Sequence, residues 1–438
     1  MALPPAVAGL LGDEAGELLA ALGQPAPVSI RLNPAKPVEM AGSPVPWCTQ
    51  GRYLPERPVF TLDPFLHAGA YYVQEAGSMV LECAVKACGL LPDGAVALDL
   101  CAAPGGKATH LAALLPGSAL LVANETDPAR QAVLTENVWK WGRPDTVLTQ
   151  AAPEDFEALG AFCDLVLVDA PCSGEGMFRK DPHARAQWGE NLVETCAARQ
   201  QRILESAWHL VKPGGHLIYS TCTWEVRENE DQVQRLVDRG AVPVTIPVEE
   251  AWGMLPATAG VRCYPHRVRG EGFFIALLHK PGRGPGEAIG RLGPHPGNGT
   301  DQLPGEVVPW VREAETCAAI RREDVLYAVE ARWEGRVRTL MAALRTTAPG
   351  TPVARYKGGA WWPHPALALG GRCHHRAFAT LDLDRARALA YLRGEALPGT
   401  DTDGFALVRH GGMGLGWAKG AGKRWNNLWP AAWRIRMR

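Results

Sequence analysis

Between residues 90 and 280, five short apolar runs recur at intervals that leave room for a helix between them. Residues 96–100 (VALDL), 120–124, 165–169 (LVLVD), 216–221 (HLIYST) and 273–278 (FFIALL) are too short to be helices, and they read as buried strands. Helix-like stretches occupy residues 108–115, 128–141 and 192–210. Asp127 stands where it caps the second stretch, with Pro128 at the first helical position. Lys212-Pro213-Gly214-Gly215 stops the third and begins a turn. Strands alternating with helices predict a mainly parallel, doubly wound α/β sheet, and such sheets bind ligands beyond the carboxyl ends of their strands. The residues that follow each run are therefore where chemistry is expected.

After the first run comes Cys101-Ala102-Ala103-Pro104-Gly105-Gly106-Lys107. Small residues let the backbone approach a ligand, and the loop leads into a helix N-terminus. It is not a phosphate-binding P-loop, because Ala108 follows Lys107, and the dinucleotide pattern G-x-G-x-x-G is absent. The second run ends at Asn124-Glu125, an acid placed to accept hydrogen bonds from a ribose. Asp169-Ala170-Pro171-Cys172-Ser173-Gly174-Glu175-Gly176 follows the third run and Thr221-Cys222-Thr223 ends the fourth. A single cysteine is usually a small buried hydrophobe. Two of them at the ligand edge of adjacent strands point to thiol chemistry.

The formal net charge of −1 argues against a polyanion partner until the chain is divided. Residues 310–438 carry 21 Lys and Arg against 11 Asp and Glu, a net of +10; the remainder carries 24 against 35, a net of −11. Residues 281–306 hold 8 Gly and 5 Pro, a density that suits a linker at the point where the charge changes. Residues 414–438 contain six Lys and Arg, no acid and four Trp, and Tyr356, Lys357, Trp361 and Trp362 form a second such cluster. Cations neutralise phosphates and aromatic faces stack on bases, although at least half of these tryptophans are expected in the core. No apolar stretch is long enough to span a membrane, and the N-terminus, interrupted by Asp13, Glu14 and Glu17, reads as an amphipathic helix rather than a signal peptide. Eleven cysteines without framework spacing point to reduced thiols in a cytoplasm. With no C-x-x-C pair, no metal site is expected, and Cys373-His374-His375 reads as incidental.

The motifs LDLCAAPGGK, VDAPCSGEG and STCTWEVRENE resemble those of the RNA cytosine-5 methyltransferases of the Nol/Nop/Sun class. Tyr71-Tyr72-Val73-Gln74-Glu75, Pro265-His266-Arg267, Gly272-Phe273-Phe274 and SIRLNP at residues 29–34 support the resemblance. Gly416-Trp417-Ala418-Lys419 and residues 426–434 are similar to the PUA-like extension of the RsmF-like branch, whose members methylate small-subunit ribosomal RNA. The resemblance implies a Rossmann-like class I methyltransferase fold. It divides the chain into an N-terminal substrate-binding subdomain (1–69), a catalytic domain (70–280), a linker (281–309) and a basic RNA-binding region with a PUA-like domain (310–438).

It also implies S-adenosylmethionine as cofactor, a ribosomal RNA or small-subunit partner, and action as a monomer. Cys222 matches the nucleophile that attacks carbon-6 of cytosine, and Cys172 the thiol that assists removal of the carbon-5 proton. In DNA cytosine-5 methyltransferases the proline-cysteine motif attacks instead, so Cys172 is the rival nucleophile. Asp169 would bond the N3/N4 edge of the base and also border the cofactor. Residues 101–107 would wrap the cofactor with Glu125 on its ribose and Arg130 nearby, while Lys107 would serve either the cofactor or the base and Asp169. Ala152 stands where the family often has an acid for the adenine, with Glu154 and Asp155 as substitutes. Arg179 and Lys180 would hold the backbone of the target cytidine, and Lys419, Lys423 and Arg424 the RNA further away. The alternatives are a transfer-RNA cytosine-5 methyltransferase and a non-catalytic ribosome-assembly factor on the same fold. From charge alone, removing residues 310–438 should weaken RNA binding and flatten its salt dependence while cofactor binding survives.

Overall fold

The computed structural model describes residues 3–257, 259–282 and 302–437. Most of the expected linker falls outside the described residues. At the centre, six strands order as β6-β5-β4-β1-β2-β3: β1 (Val96–Asp99), β2 (Leu120–Asn124), β3 (Thr146–Thr149), β4 (Cys163–Asp169), β5 (Val211–Thr221) and β6 (Phe273–His279). The helices α1 (Gly106–Leu114), α2 (Pro128–Trp141) and α3 (Glu190–Leu210) follow β1, β2 and β4. Along β4, Val166 and Val168 enter one apolar cluster while Leu165 and Leu167 enter another. A strand with both faces covered must be apolar at every position, which is why these runs do not alternate.

The sheet is mixed, with the expected parallel strands at its centre. Only β1 to β5 run parallel; β6 is antiparallel to β5, short strands beyond it are antiparallel as well, and Thr346–Ala348 closes the other edge antiparallel to β3. The helix stop at Lys212 is real, but no separate turn follows. β5 starts at Val211, and its pairing jumps from Cys163↔Val211 to Leu165↔His216, so Lys212–Gly215 bulge out of a continuous strand with Gly214 at φ +83°. Asp127 caps α2 as expected, accepting a bond from the amide of Arg130 at 2.8 Å.

The N-terminus forms two helices, Pro5–Leu11 and Ala15–Leu22, broken by Gly12 at φ +55°. Val7, Leu18 and Leu22 pack on Phe178, Trp224 and Tyr264 beside the cysteine loops. Glu14 accepts bonds from His266 (2.9 Å) and Arg267 (Nε, 2.6 Å), which gives the Pro265-His266-Arg267 motif a positioning role. A four-stranded sheet follows, in which Tyr71–Val73 pairs with Val28–Leu32, so it crosses the boundary expected at residue 69. Arg31, fully buried, joins this sheet to the catalytic unit. It donates to Gln74 Oε1 (2.8 Å), Thr109 Oγ1 (2.7 Å) and the Gly106 carbonyl (3.2 Å), and it lies 4.4 Å over the Trp141 ring.

The C-terminal half builds a four-stranded sheet (residues 317–363) and a five-stranded one (residues 379–427). Of the four tryptophans in residues 414–438, Trp417, Trp425 and Trp429 are buried, in line with the expected share in the core. Trp333, Val337 and Leu340 belong to the same cluster as Phe156, Leu159 and Phe162 of the catalytic unit. Residues 318–348 therefore complete the catalytic core and supply its edge strand. Removing 310–438 would uncover that core, so the charge-based expectation of a clean separation does not hold. Among the described residues, no helix is long and apolar enough to cross a membrane.

Replacing Arg31 by Ala leaves the Gln74, Thr109 and Gly106 acceptors buried without their donor. It should cost about 2–4 kcal/mol, read as a lowered midpoint in urea denaturation.

Candidate active site

The parallel register of β4 and β5 sets Asp169 opposite Ser220, and the chain continues from both into cysteine loops. Cys172 and Cys222, fifty residues apart, meet with their sulfurs 3.2 Å apart, in contact but not bonded. The Cys222 thiol is drawn down, chiefly because Cys172 donates to it and with help from the Lys107 charge, against burial and the charge of Asp169. Cys172 is pushed well up by the same pairing and by burial. The pairing therefore favours ionisation at Cys222 over Cys172. Asp169 accepts from Lys107 (2.8 Å) and Ser220 (2.9 Å), and Lys107 also lies 4.8 Å over the Phe273 ring. Of the two roles open to Lys107, the geometry favours orienting Asp169.

Two buried carboxylates, not singled out as site residues from sequence, hold the cysteine loops. Glu228 accepts from the Ser173 amide (3.0 Å), the Ser173 hydroxyl and Gln200 (2.7 Å). Glu175 accepts from the Thr223 hydroxyl (2.8 Å), the Trp224 amide (2.9 Å) and the Trp188 indole (2.9 Å), and burial raises its pKa to about 7. Gly176 donates to the Cys222 carbonyl at 2.8 Å, and a Cβ on Gly176 would stand 2.3 Å from the Gly272 carbonyl. The only sequence signal for these roles was that Glu175 and Glu228 fall inside the VDAPCSGEG and STCTWEVRENE motifs.

The 101–107 loop leaves β1 and turns at Gly105, φ +117°, into α1. A Cβ on Gly106 would lie 3.4 Å from the Tyr72 ring. Asn124 ties three strand ends together, donating to the carbonyls of Leu100 (3.1 Å) and Ala151 (3.0 Å) and accepting from Thr149 (2.9 Å). Asp99, at the end of β1, is buried without a side-chain partner, and burial with the nearby charge of Asp169 lifts its pKa to about 8. Glu125 pairs with Arg130 at 3.1 Å, and Arg130 also donates to the Ala103 carbonyl at 2.9 Å.

A cleft of about 1130 Å³ opens in front of this arrangement. Ala102, Ala103, Pro104, Gly106, Lys107, Asp169, Cys222, Arg179 and Lys180 line it, and residues 25–29 and 54–57 of the N-terminal region form the facing wall. Cys101, Gly105, Cys172, Glu125, Arg130 and Ala152 are not part of its lining. Ala152 is exposed and offers no polar side chain, and Asp155 turns back to accept from the Ala152 amide at 2.9 Å. Arg179 is not a free phosphate ligand. Its side chain is buried against Glu271 (3.0 Å) and the Gly270 carbonyl (2.5 Å), whereas Lys180, more exposed and 3.8 Å from Glu271, reaches the rim, as do the exposed Arg57 and Arg269. Away from the cleft, Lys423 and Arg424 are exposed, whereas Lys419 sits 3.9 Å over the Trp362 ring. His374 Nδ1 lies 3.1 Å from the Pro309 carbonyl.

A buried partnerless carboxylate, two further acids and a loop of small residues suit a cationic, nucleoside-bearing ligand such as S-adenosylmethionine. Three family models match the chain: 16S rRNA methyltransferase RsmB/F over residues 90–279, the N-terminal domain of 16S rRNA methyltransferase RsmF over residues 5–76, and the methyltransferase RsmF PUA domain over residues 378–435. The ribosomal RNA small subunit methyltransferase F of Aeromonas hydrophila is 33% identical, covering 94% of this chain and 92% of its own. Its counterpart in Erwinia tasmaniensis is 32% identical over 91% and 86%. A methyltransferase homolog protein from Pyrococcus horikoshii superimposes with a TM-score of 0.53 at 27% identity, covering 64% of this chain and all of its own. NSun6 from Pyrococcus horikoshii, solved with SFG, has the same fold, with a TM-score of 0.54 at 21% identity over 64% and 99%.

Iodoacetamide should modify Cys222 before Cys172 near neutral pH. Cys172→Ala, by removing the S–H donor, should move the onset of Cys222 alkylation to higher pH, followed by peptide mass mapping.

Proposed function

Because the chain belongs to the ribosomal RNA small subunit methyltransferase F family, we propose that it methylates carbon-5 of a cytidine in 16S ribosomal RNA through a covalent Cys222 adduct. S-adenosylmethionine, the cofactor, supplies an electrophilic methyl group on a sulfonium. Carbon-5 of cytosine is a weak nucleophile towards it, and covalent catalysis answers that difficulty. The Cys222 sulfur bonds to carbon-6, the pair from the 5,6 double bond moves towards carbon-5, and carbon-5 becomes enamine-like. Asp169, steadied by Lys107 and Ser220, accepts from the N4 amino group at the N3/N4 edge and orients the base, and the Lys107 charge beside it offsets the negative charge that develops on the ring. After methylation the carbon-5 proton passes to water in the cleft, the C–H electron pair re-forms the 5,6 double bond, and the Cys222 sulfur departs as a thiolate. Cys172, 3.2 Å from that sulfur, assists this last step.

The observation that carries the reading is the contact between the two thiols beside the Lys107–Asp169 pair. It supports Cys222 rather than Cys172 as nucleophile, because the pairing and the Lys107 charge lower the Cys222 thiol and raise that of Cys172. Residues 101–106, Glu125 and Asp99 would hold the cofactor, with Arg130 positioning Glu125. Ala152 contributes at most its backbone at the adenine. The target base must leave any stack to enter the cleft. Lys180 meets its flanking phosphate, and Lys423, Arg424 and Lys419 add phosphate affinity from the PUA-like region.

Cys222→Ala should abolish methyl transfer, and Cys172→Ala should accumulate an RNA–protein adduct that survives SDS; the reverse pattern would assign the nucleophile to Cys172. Bisulfite sequencing of RNA from a strain lacking the protein should lose one or a few 16S signals. Loss confined to transfer RNA would refute the substrate. Changing Lys419, Lys423 and Arg424 to Glu should weaken RNA binding and reduce its salt slope by about 2, while cofactor binding measured by calorimetry stays the same.

A further inference from the structure

Behind the cofactor loop, away from the cleft, three donors of different chemistry converge in the interior. Cys48 opens the strand Cys48–Leu54, Glu82 lies in the first turn of the helix Leu81–Ala87, and His110 stands on α1, three residues beyond Lys107. They are 2%, 3% and 1% exposed. Cys48 Sγ is 3.8 Å from His110 Nε2, His110 Nε2 is 3.6 Å from Glu82 Oε2, and the three donor atoms all fall within 4.8 Å of one another. From these residues we propose a structural site for a zinc-type divalent ion, held by Cys48, Glu82 and His110.

The spacing is close to what a tetrahedral ion requires. With sulfur about 2.3 Å and nitrogen about 2.0–2.1 Å from the metal, the sulfur–nitrogen edge of a tetrahedron is about 3.5 Å. The two edges to His110 need to shorten by only a few tenths of an ångström, and Cys48 and Glu82, whose donor atoms lie within 4.8 Å of each other, close the third side by side-chain rotation. The carboxylate is already oriented for this. Glu82 Oε1 accepts from the Thr49 hydroxyl (2.5 Å) and from Lys86 (2.6 Å), while Oε2 accepts from the Thr49 amide (3.1 Å) and lies 3.6 Å from His110 Nε2 with a lone pair to spare. Outer hydrogen bonds that aim a ligating carboxylate are the usual support of such sites. One sulfur, one imidazole nitrogen and one carboxylate oxygen disfavour magnesium and calcium, which take oxygen ligands, and suit zinc. On binding, the bond from Cys48 sulfur to the metal forms as the thiol proton is released to solvent.

A pocket of about 520 Å³, lined in part by Trp47, Cys48, Glu82 and Trp252, reaches the cluster from outside. It gives the ion a way in and leaves a fourth position for water. The donors come from the N-terminal sheet, from the helix that follows it and from the helix that carries Lys107. The ion would therefore tie the cleft's facing wall to the helix that begins at the cofactor loop. Their wide separation in sequence is why spacing rules for metal ligands pass over them.

The test uses the full-length protein, stripped with a chelator and titrated with Zn²⁺ or Co²⁺. Native mass spectrometry should show one ion retained per chain, and the cobalt form should show a thiolate-to-cobalt absorption band. In the unmodified protein, Zn²⁺ should slow alkylation of Cys48 and leave that of Cys222 unchanged. Thr49→Val, which removes an outer bond to Glu82, should weaken binding about tenfold, and Cys48→Ser should weaken it more. Cys373→Ser should bind as the parent does. No retained ion, or an ion whose binding leaves Cys48 alkylation unchanged, would overturn the site and reduce the cluster to a buried hydrogen-bonded group. Because the alkylation reading needs no variant, a misfolded Cys48→Ser protein would not rescue the proposal.

Discussion

The parallel pairing of β4 with β5 is the constraint on which the site depends. With Asp169 opposite Ser220, the two strands deliver a carboxylate, a hydroxyl and the roots of both thiol loops to one edge. A slip of one residue would turn each side chain to the other face and separate the pair. The bulge at Lys212–Gly215 belongs to the same constraint. It absorbs surplus chain at the start of β5, so that its far end arrives in step with β4.

Two sulfurs in contact create an asymmetry that neither has alone. When one of the two ionises, the other can donate to it, and the neighbouring charges bias which one that is. Lys107 favours the charge on Cys222, whereas Glu228 opposes charge on Cys172. The loops that hold the pair are fastened by Glu175 and Glu228, buried acids that fix backbone amides and hydroxyls rather than reacting themselves.

Much of this was legible in the chain. Buried strands must be apolar throughout, and ligand edges must carry small, acidic or nucleophilic residues, so β1, β2, β4, β5 and β6 and the loops after them stood out. β3 did not, because four residues with a threonine at each end make no apolar run. Arg179 was misleading for a physical reason: a cation next to a cysteine loop looks like a phosphate ligand until its partner Glu271, ninety-two residues away, is seen beside it. Contacts at such separation leave no local pattern. The same holds for Asp99, whose isolation is a property of the folded interior, and for Glu14, which reaches His266 and Arg267 across most of the chain.

The edge strand Thr346–Ala348 sets a timetable for synthesis. Its partners on β3 emerge almost two hundred residues earlier, so during translation the catalytic sheet exists for a long interval with one open edge. Unpaired strand edges template aggregation, and pairings so distant in sequence form slowly. Here the exposed edge is a strand of four residues, and a short edge limits that hazard until the chain returns to cover it. A chain that ends before this strand would leave open both the sheet edge and the apolar core that residues 318–348 cover.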